Sequence, residues 1–268
     1  MKIARCLSIA GSDSGGCAGI QADLKTFSAL RTHGMSAVTS VTAQDTKKVH
    51  RVDDLPADSV RAQVRAVVED IGVDAVKTGM LSNPSIIEVV AELMDEYSVA
   101  KLVVDPVMVS SGGDPLIRPQ AVRALQEKLF PLALLVTPNL QEAEALSGRS
   151  ISDPGSLQEA ARRILGLGPW AVLIKGGHSE DSRHSADDLF WGNGHRRFSS
   201  LRVKTRNTHG SGCTLSAAIT ALLARGGELE AAVEEAKQYV TEALRNSLDL
   251  GEGRGPLGHF FAIADPRL

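Results

Sequence analysis

Apolar runs of β-strand length recur along most of this chain and alternate with stretches of helical periodicity, the pattern of β–α–β units winding a parallel sheet. The runs fall at residues 3–9, 36–43, 73–78, 101–105, 133–137 and 171–175. They are mostly rich in Val, Ile and Leu and continuously apolar, as expected of strands covered on both faces. Between them, residues 58–71 carry Val60, Val64, Val67, Val68 and Ile71 at helical spacing, which predicts a crossover helix. Residues 185–203 differ: two alternating segments flank Gly192-Asn193-Gly194, a turn cluster suited to an antiparallel hairpin. The sheet is therefore expected to be mixed at one edge. Two helices follow, at about 212–225 and 227–247, with the break at Gly226 and Gly227. A chain of 268 residues suits one large α/β domain with a substantial core.

Charge and cysteine usage remove several classes of function. The 29 basic and 32 acidic residues nearly cancel, leaving no overall field to gather nucleic acid or an anionic membrane. Cys6, Cys17 and Cys213 lie in separate contexts without a CxxC spacing, which argues against a disulfide framework or structural zinc and fits a reducing, cytoplasmic setting. The first residues read as a strand entering a Gly-rich loop rather than a signal peptide, and no apolar run approaches the ~20 residues that span a bilayer.

In an open α/β sheet, ligands bind beyond the carboxyl ends of the strands, so the residues after each apolar run are the candidates for chemistry. After the first run, Ala10 to Gly19 form a Gly-rich segment leading into a helix that contains Asp23 and Lys25. It reads as a close-approach loop for a ligand or as a plain turn. Gln44, after the second run, offers a donor and an acceptor to a heterocycle edge, or serves as an ordinary loop residue. Asp105 ends the fourth run, and the fifth leads into Asn139-Leu140-Gln141-Glu142. Their oxygens suit a hard cation such as Mg²⁺, while Asn139 and Glu142 equally suit a helix capping box, and both readings can hold together. The sixth run ends in Lys175-Gly176-Gly177-His178, where a lysine and a permissive backbone can meet a phosphate.

The strongest local signal is Asn207-Thr208-His209-Gly210-Ser211-Gly212-Cys213, opening an apolar helix of small residues. Backbone N–H groups and the positive helix end there form an anion site for a transferring phosphoryl group. Cys213 in that field is expected to have a lowered thiol pKa. A tightly packed core helix is the plainer reading. The segment is neither a Walker A loop nor a dinucleotide-binding GxGxxG.

The same segment, NTHGSGCTLSAAI, resembles the signature of the hydroxymethylpyrimidine and phosphomethylpyrimidine kinases of the ribokinase-like superfamily. SIAGSDSGGCAGIQADLKTFSAL, VTAQDT, VKTGML, VVDPVM, LVTPNLQEAEAL, VLIKGGH and GEGRGPLGHFF follow the same family in order along nearly the whole chain. The resemblance implies an α/β three-layer sandwich: a central, mainly parallel sheet between helices, with an antiparallel edge hairpin and no large lid.

By that resemblance, Gly210, Ser211, Gly212 and Cys213 form the catalytic anion hole, with Cys213 where the wider superfamily has an aspartate base. Gly11, Asp23, Gln44, Met80 and Val107 line the pyrimidine pocket. Asp105 and Glu142 organise Mg²⁺, Asn139 and Lys175 lie on the nucleotide side, and Lys237 is a weaker nucleotide candidate. Two departures stand out: Cys17 where the family more often has glycine, a residue that would narrow the pocket or offer an oxidisable thiol, and Ser211 where it more often has threonine. The implied activity is ATP-dependent phosphorylation of 4-amino-5-hydroxymethyl-2-methylpyrimidine and then of its monophosphate, in thiamine biosynthesis, by a homodimer. The alternatives are a pyridoxine or pyridoxal kinase and a non-catalytic pyrimidine sensor.

Overall fold

The computed structural model describes residues 3–109, 116–176 and 183–261. Gly177 and His178, the end of the expected phosphate-side loop, lie outside the described residues. Among these residues, nine strands form one sheet: β1 (Arg5–Asp13), β2 (His33–Gln44), β3 (Val49–Asp54), β4 (Ala75–Thr78), β5 (Leu102–Val104), β6 (Leu135–Val136), β7 (Ala171–Lys175), β8 (His184–Trp191) and β9 (Gly194–Leu201), in the spatial order β3-β2-β1-β4-β5-β6-β7-β8-β9. The six strands from β2 to β7 in that order pair parallel. The expected hairpin is β8–β9, turning at Gly192 with φ 47°, and it extends the sheet antiparallel from β7.

Among the described residues, eight α-helices cover the sheet: α1 (Gly19–Ala29), α2 (Ala57–Asp70), α3 (Pro84–Glu96), α4 (Pro119–Ala124), α5 (Leu140–Ser147), α6 (Pro154–Leu165), α7 (Ser211–Ala224) and α8 (Leu229–Arg245). Strand alternation assigns them to two layers. Val104, Val136, Val172 and Ile174 pack in the cluster that holds residues of α2 to α6, whereas Val103, Leu135, Ala171 and Leu173 pack with α7 and α8. Cys6 meets Phe27 of α1 and Ala217 of α7 on that second face. Both faces are thus sealed, as the continuously apolar runs predict.

Two differences matter for the site. β3 pairs antiparallel with β2 at the far edge, so the sheet is antiparallel at both edges. Its sequence, VHRVDD, is mostly exposed and carries no apolar run, which is why periodicity misses it. β1 also runs past the apolar segment through Gly11 and Ser12 to Asp13, with a register shift between Ala10 and Ser12. Such a bulge re-aims the chain at the end of a strand, here into the Gly-rich loop.

Candidate active site

The loop after β1 is wound around one carboxylate. Asp13 Oδ1 accepts from Gly15 N at 2.8 Å, and Oδ2 accepts from Cys17 N at 2.9 Å and Ala18 N at 2.8 Å. Burial would raise this carboxyl, but His209 and the backbone donors hold it below its ordinary value. A Cβ on Gly210 would overlap the Cys17 carbonyl, and one on Gly19 would overlap the Gly11 carbonyl. With φ of 86°, Gly210 lets the loop before α7 pack backbone against backbone on the loop after β1, and Gly19, with φ of 56°, lets that second loop close on its own start at Gly11. Cys17 is 2 % exposed and its thiol is pushed up to about 11, chiefly by burial.

Beyond β5, β6 and β7 lies a second group. Lys175 Nζ donates to Asp105 Oδ1 at 2.7 Å, Thr137 Oγ1 donates to the same oxygen at 3.2 Å, and Ser216 Oγ on α7 donates to Oδ2 at 3.1 Å. A Cβ on Gly212 would lie 3.3 Å from Lys175 Nζ, so the absence of a side chain there lets the ammonium reach the start of α7. Burial opposes both charges, yet Lys175 and Lys77 keep the Asp105 carboxyl below its ordinary range, and Asp105 with Glu142 keeps the Lys175 ammonium above its own. Glu142 is raised by burial, reinforced by Asp105 and opposed by Lys175.

Asn139 and Glu142 form the capping box of α5: Asn139 Oδ1 accepts from Glu142 N at 2.9 Å, and Glu142 Oε2 accepts from Asn139 N at 2.8 Å. Glu142 Oε1 also accepts from Met108 N at 3.3 Å. The donor set of Asp105 and Glu142 is hard oxygen, two buried carboxylates around one lysine. Such a group suits a divalent cation that keeps waters and completes its shell with phosphate oxygens.

Beneath the two loops runs a buried ion pair. Lys77 Nζ donates to both carboxylate oxygens of Asp23, at 2.9 and 2.8 Å, and Ser8 Oγ donates to Asp23 Oδ2; neither charged side chain has any exposed surface. Burial would drive off the Lys77 proton, but Asp23, Cys213 and Asp105 hold the ammonium above its ordinary value. Asp23, expected to line the pyrimidine pocket, thus has both oxygens bonded to protein partners.

Cys213 departs from expectation. The residue is half-buried, yet desolvation of its thiol pushes it up to about 11, with Asp23 and Asp105 adding to the rise, while Lys77 and the Gly19 N–H oppose it. Lys237 is buried with Nζ on Asp187 Oδ2 at 2.7 Å, while Asp187 Oδ1 accepts from Gly176 N at 3.0 Å. It braces the end of β7.

Among the residues expected to line the pyrimidine pocket, Met80 closes over Gly11, whose Cβ would come within 2.5 Å of Met80 Cε. Val107 is half-buried, its N–H donating to the Asp105 carbonyl. Gln44 is also half-buried; its amide nitrogen lies 2.7 Å from His209 Nε2, and its oxygen lies 3.2 Å from Thr42 Oγ1. The structure thus joins Lys175, Asp105, Gly212 and Cys213 in one electrostatic group, with Asn139 and Glu142 at its edge. Asp13, Lys77, His209 and Ser216 were not singled out from sequence. Lys77 had a visible signal, a lysine inside the strand-length run VKT.

A family model described as phosphomethylpyrimidine kinase matches residues 13–258. The chain is 47 % identical over 260 residues to the hydroxymethylpyrimidine/phosphomethylpyrimidine kinase of Bacillus subtilis, covering 97 % of this chain and 96 % of that one. Two solved structures are similar along nearly the whole length. The pyridoxal kinase of Bacillus subtilis in its ADP complex matches with TM-score 0.91 and 40 % identity, over 98 % of this chain and 100 % of its own. The pyridoxal kinase of Staphylococcus aureus with AMP-PCP matches with TM-score 0.90 and 37 % identity, over 97 % and 94 %.

Proposed function

Because the chain belongs to the phosphomethylpyrimidine kinase family, with its ribokinase-like fold, we propose that it transfers the γ-phosphoryl group of ATP to the hydroxymethyl oxygen of 4-amino-5-hydroxymethyl-2-methylpyrimidine. A second turnover converts the monophosphate to the diphosphate. The observation that carries this reading is the meeting of Lys175, Asp105 and the Gly212 backbone at the opening of α7. Phosphoryl transfer needs positioning and charge stabilisation more than covalent chemistry, and this group supplies both.

In this reading the first turn of α7 and Lys175 receive the transferring phosphoryl group, and Asn139 stands on the nucleotide side. Asp105 and Glu142 would hold Mg²⁺ directly or through water; bound there, the ion would neutralise phosphate charge. Gly11, Gln44, Met80 and Val107 hold the pyrimidine, and the Asp23–Lys77 pair fixes the floor below them. Cys213 acts as a protonated thiol that shapes the anion hole; the substrate oxygen bonds to the γ-phosphorus as the bond to the ADP oxygen breaks, and the hydroxyl proton passes late to an oxygen of the transferring phosphoryl group.

Pyridoxal phosphorylation is a second reading, favoured by the two structural neighbours named as pyridoxal kinases. The acid–lysine set argues against a non-catalytic sensor, which has no use for phosphoryl-transfer groups. Release of ADP measured with the hydroxymethylpyrimidine, its monophosphate and pyridoxal tests all three. Turnover with both pyrimidines and a much lower kcat/KM for pyridoxal is expected; turnover with pyridoxal alone, or with none of them, defeats the proposal.

A further inference from the structure

The Gly-rich stretch GEGRGPLGHFF, residues 251–261, takes no part in the site described above, yet its glycines are sterically required. A Cβ on Gly253 would come within 2.1 Å of the Thr46 carbonyl oxygen, and one on Gly255 within 2.6 Å of Asn207 Oδ1 and 2.7 Å of the Leu248 carbonyl oxygen. The missing side chains let this segment press its backbone against two separate loops. On one side, Gly253 N donates to Thr46 Oγ1 at 3.0 Å and Arg254 N donates to the Thr46 carbonyl at 2.9 Å. On the other, Gly255 N donates to Asn207 Oδ1 at 3.1 Å, and the Gly255 carbonyl accepts from His209 N at 3.2 Å.

The two loops come from distant parts of the sheet. Thr46 lies in the turn between β2 and β3, whereas Asn207 and His209 follow β9, at the opposite edge, and lead into Gly210 and the first turn of α7. β2 and β9 are not neighbours in the sheet, so no strand pairing fixes one loop against the other. The Gly-rich segment is itself held from behind. Leu248 N donates to the Pro256 carbonyl at 3.0 Å and Gly258 N to the Ala243 carbonyl of α8 at 3.0 Å, while Tyr239 Oη donates to the His259 carbonyl at 2.9 Å. Residues 255–259 are buried. Both loops are therefore tied to a frame anchored on α8.

We infer that residues 253–255 are a positioning clip, with Thr46 and Asn207 as its two contact points. The clip holds the turn after β2 and the loop before α7 in register, so that the acceptor oxygen and the transferring phosphoryl group meet in line. Transfer between two separately bound substrates depends on alignment as well as on affinity for each, and a misplacement of ~1 Å can cost about 10²-fold in rate. The consequence for catalysis rests on the kinase reading proposed above; the mechanical coupling of the two loops does not.

The test has two arms. Thr46→Val removes the hydroxyl that accepts from Gly253 N and keeps the side-chain shape, whereas Thr46→Ser keeps the hydroxyl. In Thr46→Val, kcat should fall ~10- to 100-fold, the scale of a small misalignment, while calorimetric Kd values for ATP and for the pyrimidine, each measured alone, stay close to wild type. Thr46→Ser should retain kcat. Wild-type kcat in Thr46→Val, an equal loss in Thr46→Ser, or a loss confined to the affinity for one substrate overturns the positioning role. The second arm needs no substrate. Amide hydrogen exchange in Thr46→Val, followed by NMR, should quicken at Gly255 N–H and His209 N–H, on the far side of the clip; unchanged exchange there overturns the coupling whatever the substrate proves to be. Should Thr46→Val fail to fold, Asn207→Ala read at Gly253 N–H makes the same test from the other side. Faster exchange in a protein whose unaltered form is inactive on pyrimidines would defeat the proposed function and leave the clip standing.

Discussion

Lys175 and Asp105 meet at 2.7 Å at the point where three strand ends approach the first turn of α7, and the ammonium also stands 3.3 Å from where a Cβ of Gly212 would lie. One cation therefore sits between the carboxylate after β5 and the start of the helix, in the space the missing Gly212 side chain leaves. Lysine is a compact point charge with three donors, suited to sharing itself between a carboxylate and an incoming phosphate.

Replacing that lysine should separate chemistry from stability. Lys175→Met is expected to lower kcat by ~10²- to 10³-fold, as for loss of one preorganised donor at a developing charge. It also leaves a buried carboxylate unpaired, which costs ~3–5 kcal/mol. In the double variant Lys175→Met with Asp105→Asn, thermal unfolding should return toward the wild-type midpoint while turnover stays low. Recovery of turnover along with stability would mean that the lysine is structural.

Gly210→Ala tests the packing of the two loops. The added Cβ would overlap the Cys17 carbonyl at a position with φ 86°, so strain and displacement combine. A loss of ~1–3 kcal/mol is the scale of forced left-handed backbone alone, and the loop shift should add to it. Urea unfolding and ATP affinity should both worsen; an unchanged ATP affinity would detach this loop from phosphate binding.

The Cys213 thiol, pushed up to about 11 from an ordinary 9.0, gives two pH predictions. Between pH 6 and 9 the turnover profile should show no limb from thiol ionisation, and Cys213→Ser should leave its shape unaltered. For stability, the folded protein holds this proton more tightly than the unfolded chain. The contribution is therefore fully present below pH 9.0 and is lost as pH rises from there through about 11. Urea midpoints measured across that window should fall less steeply in Cys213→Ala than in wild type; equal slopes would mean an ordinary thiol.

Much of this site is legible in the sequence because strand ends are. Asp105, Asn139, Lys175 and Gly210 to Cys213 each follow or precede a recognisable apolar run, and β7 was bounded correctly at 171–175. What was not legible depended on through-space partners. Asp23 looks available on a helix until Lys77 and Ser8 claim it, and Cys213 looks activated by the helix start until burial beside Asp23 and Asp105 reverses the sign. β3 escaped notice because its side chains face water and alternate no apolar stripe.

Glu142 holds the α5 capping box and is also a proposed metal ligand, and Glu142→Gln distinguishes the two duties. The amide keeps one oxygen for the Asn139 N–H but turns its NH₂ toward the Met108 N–H, so a stability loss of ~1–3 kcal/mol is expected from the donor left unpaired. The Mg²⁺ concentration for half-maximal turnover should rise several-fold. A lowered melting temperature with unchanged Mg²⁺ dependence would leave Glu142 as a cap alone.

The account is tested most directly by following ³¹P NMR of the purified protein with ATP, Mg²⁺ and 4-amino-5-hydroxymethyl-2-methylpyrimidine. It predicts a phosphomonoester resonance that rises first and is then replaced by the paired resonances of a pyrimidine diphosphate, with ADP formed at two equivalents per pyrimidine. Unchanged pyrimidine, while the same preparation phosphorylates pyridoxal, would contradict it.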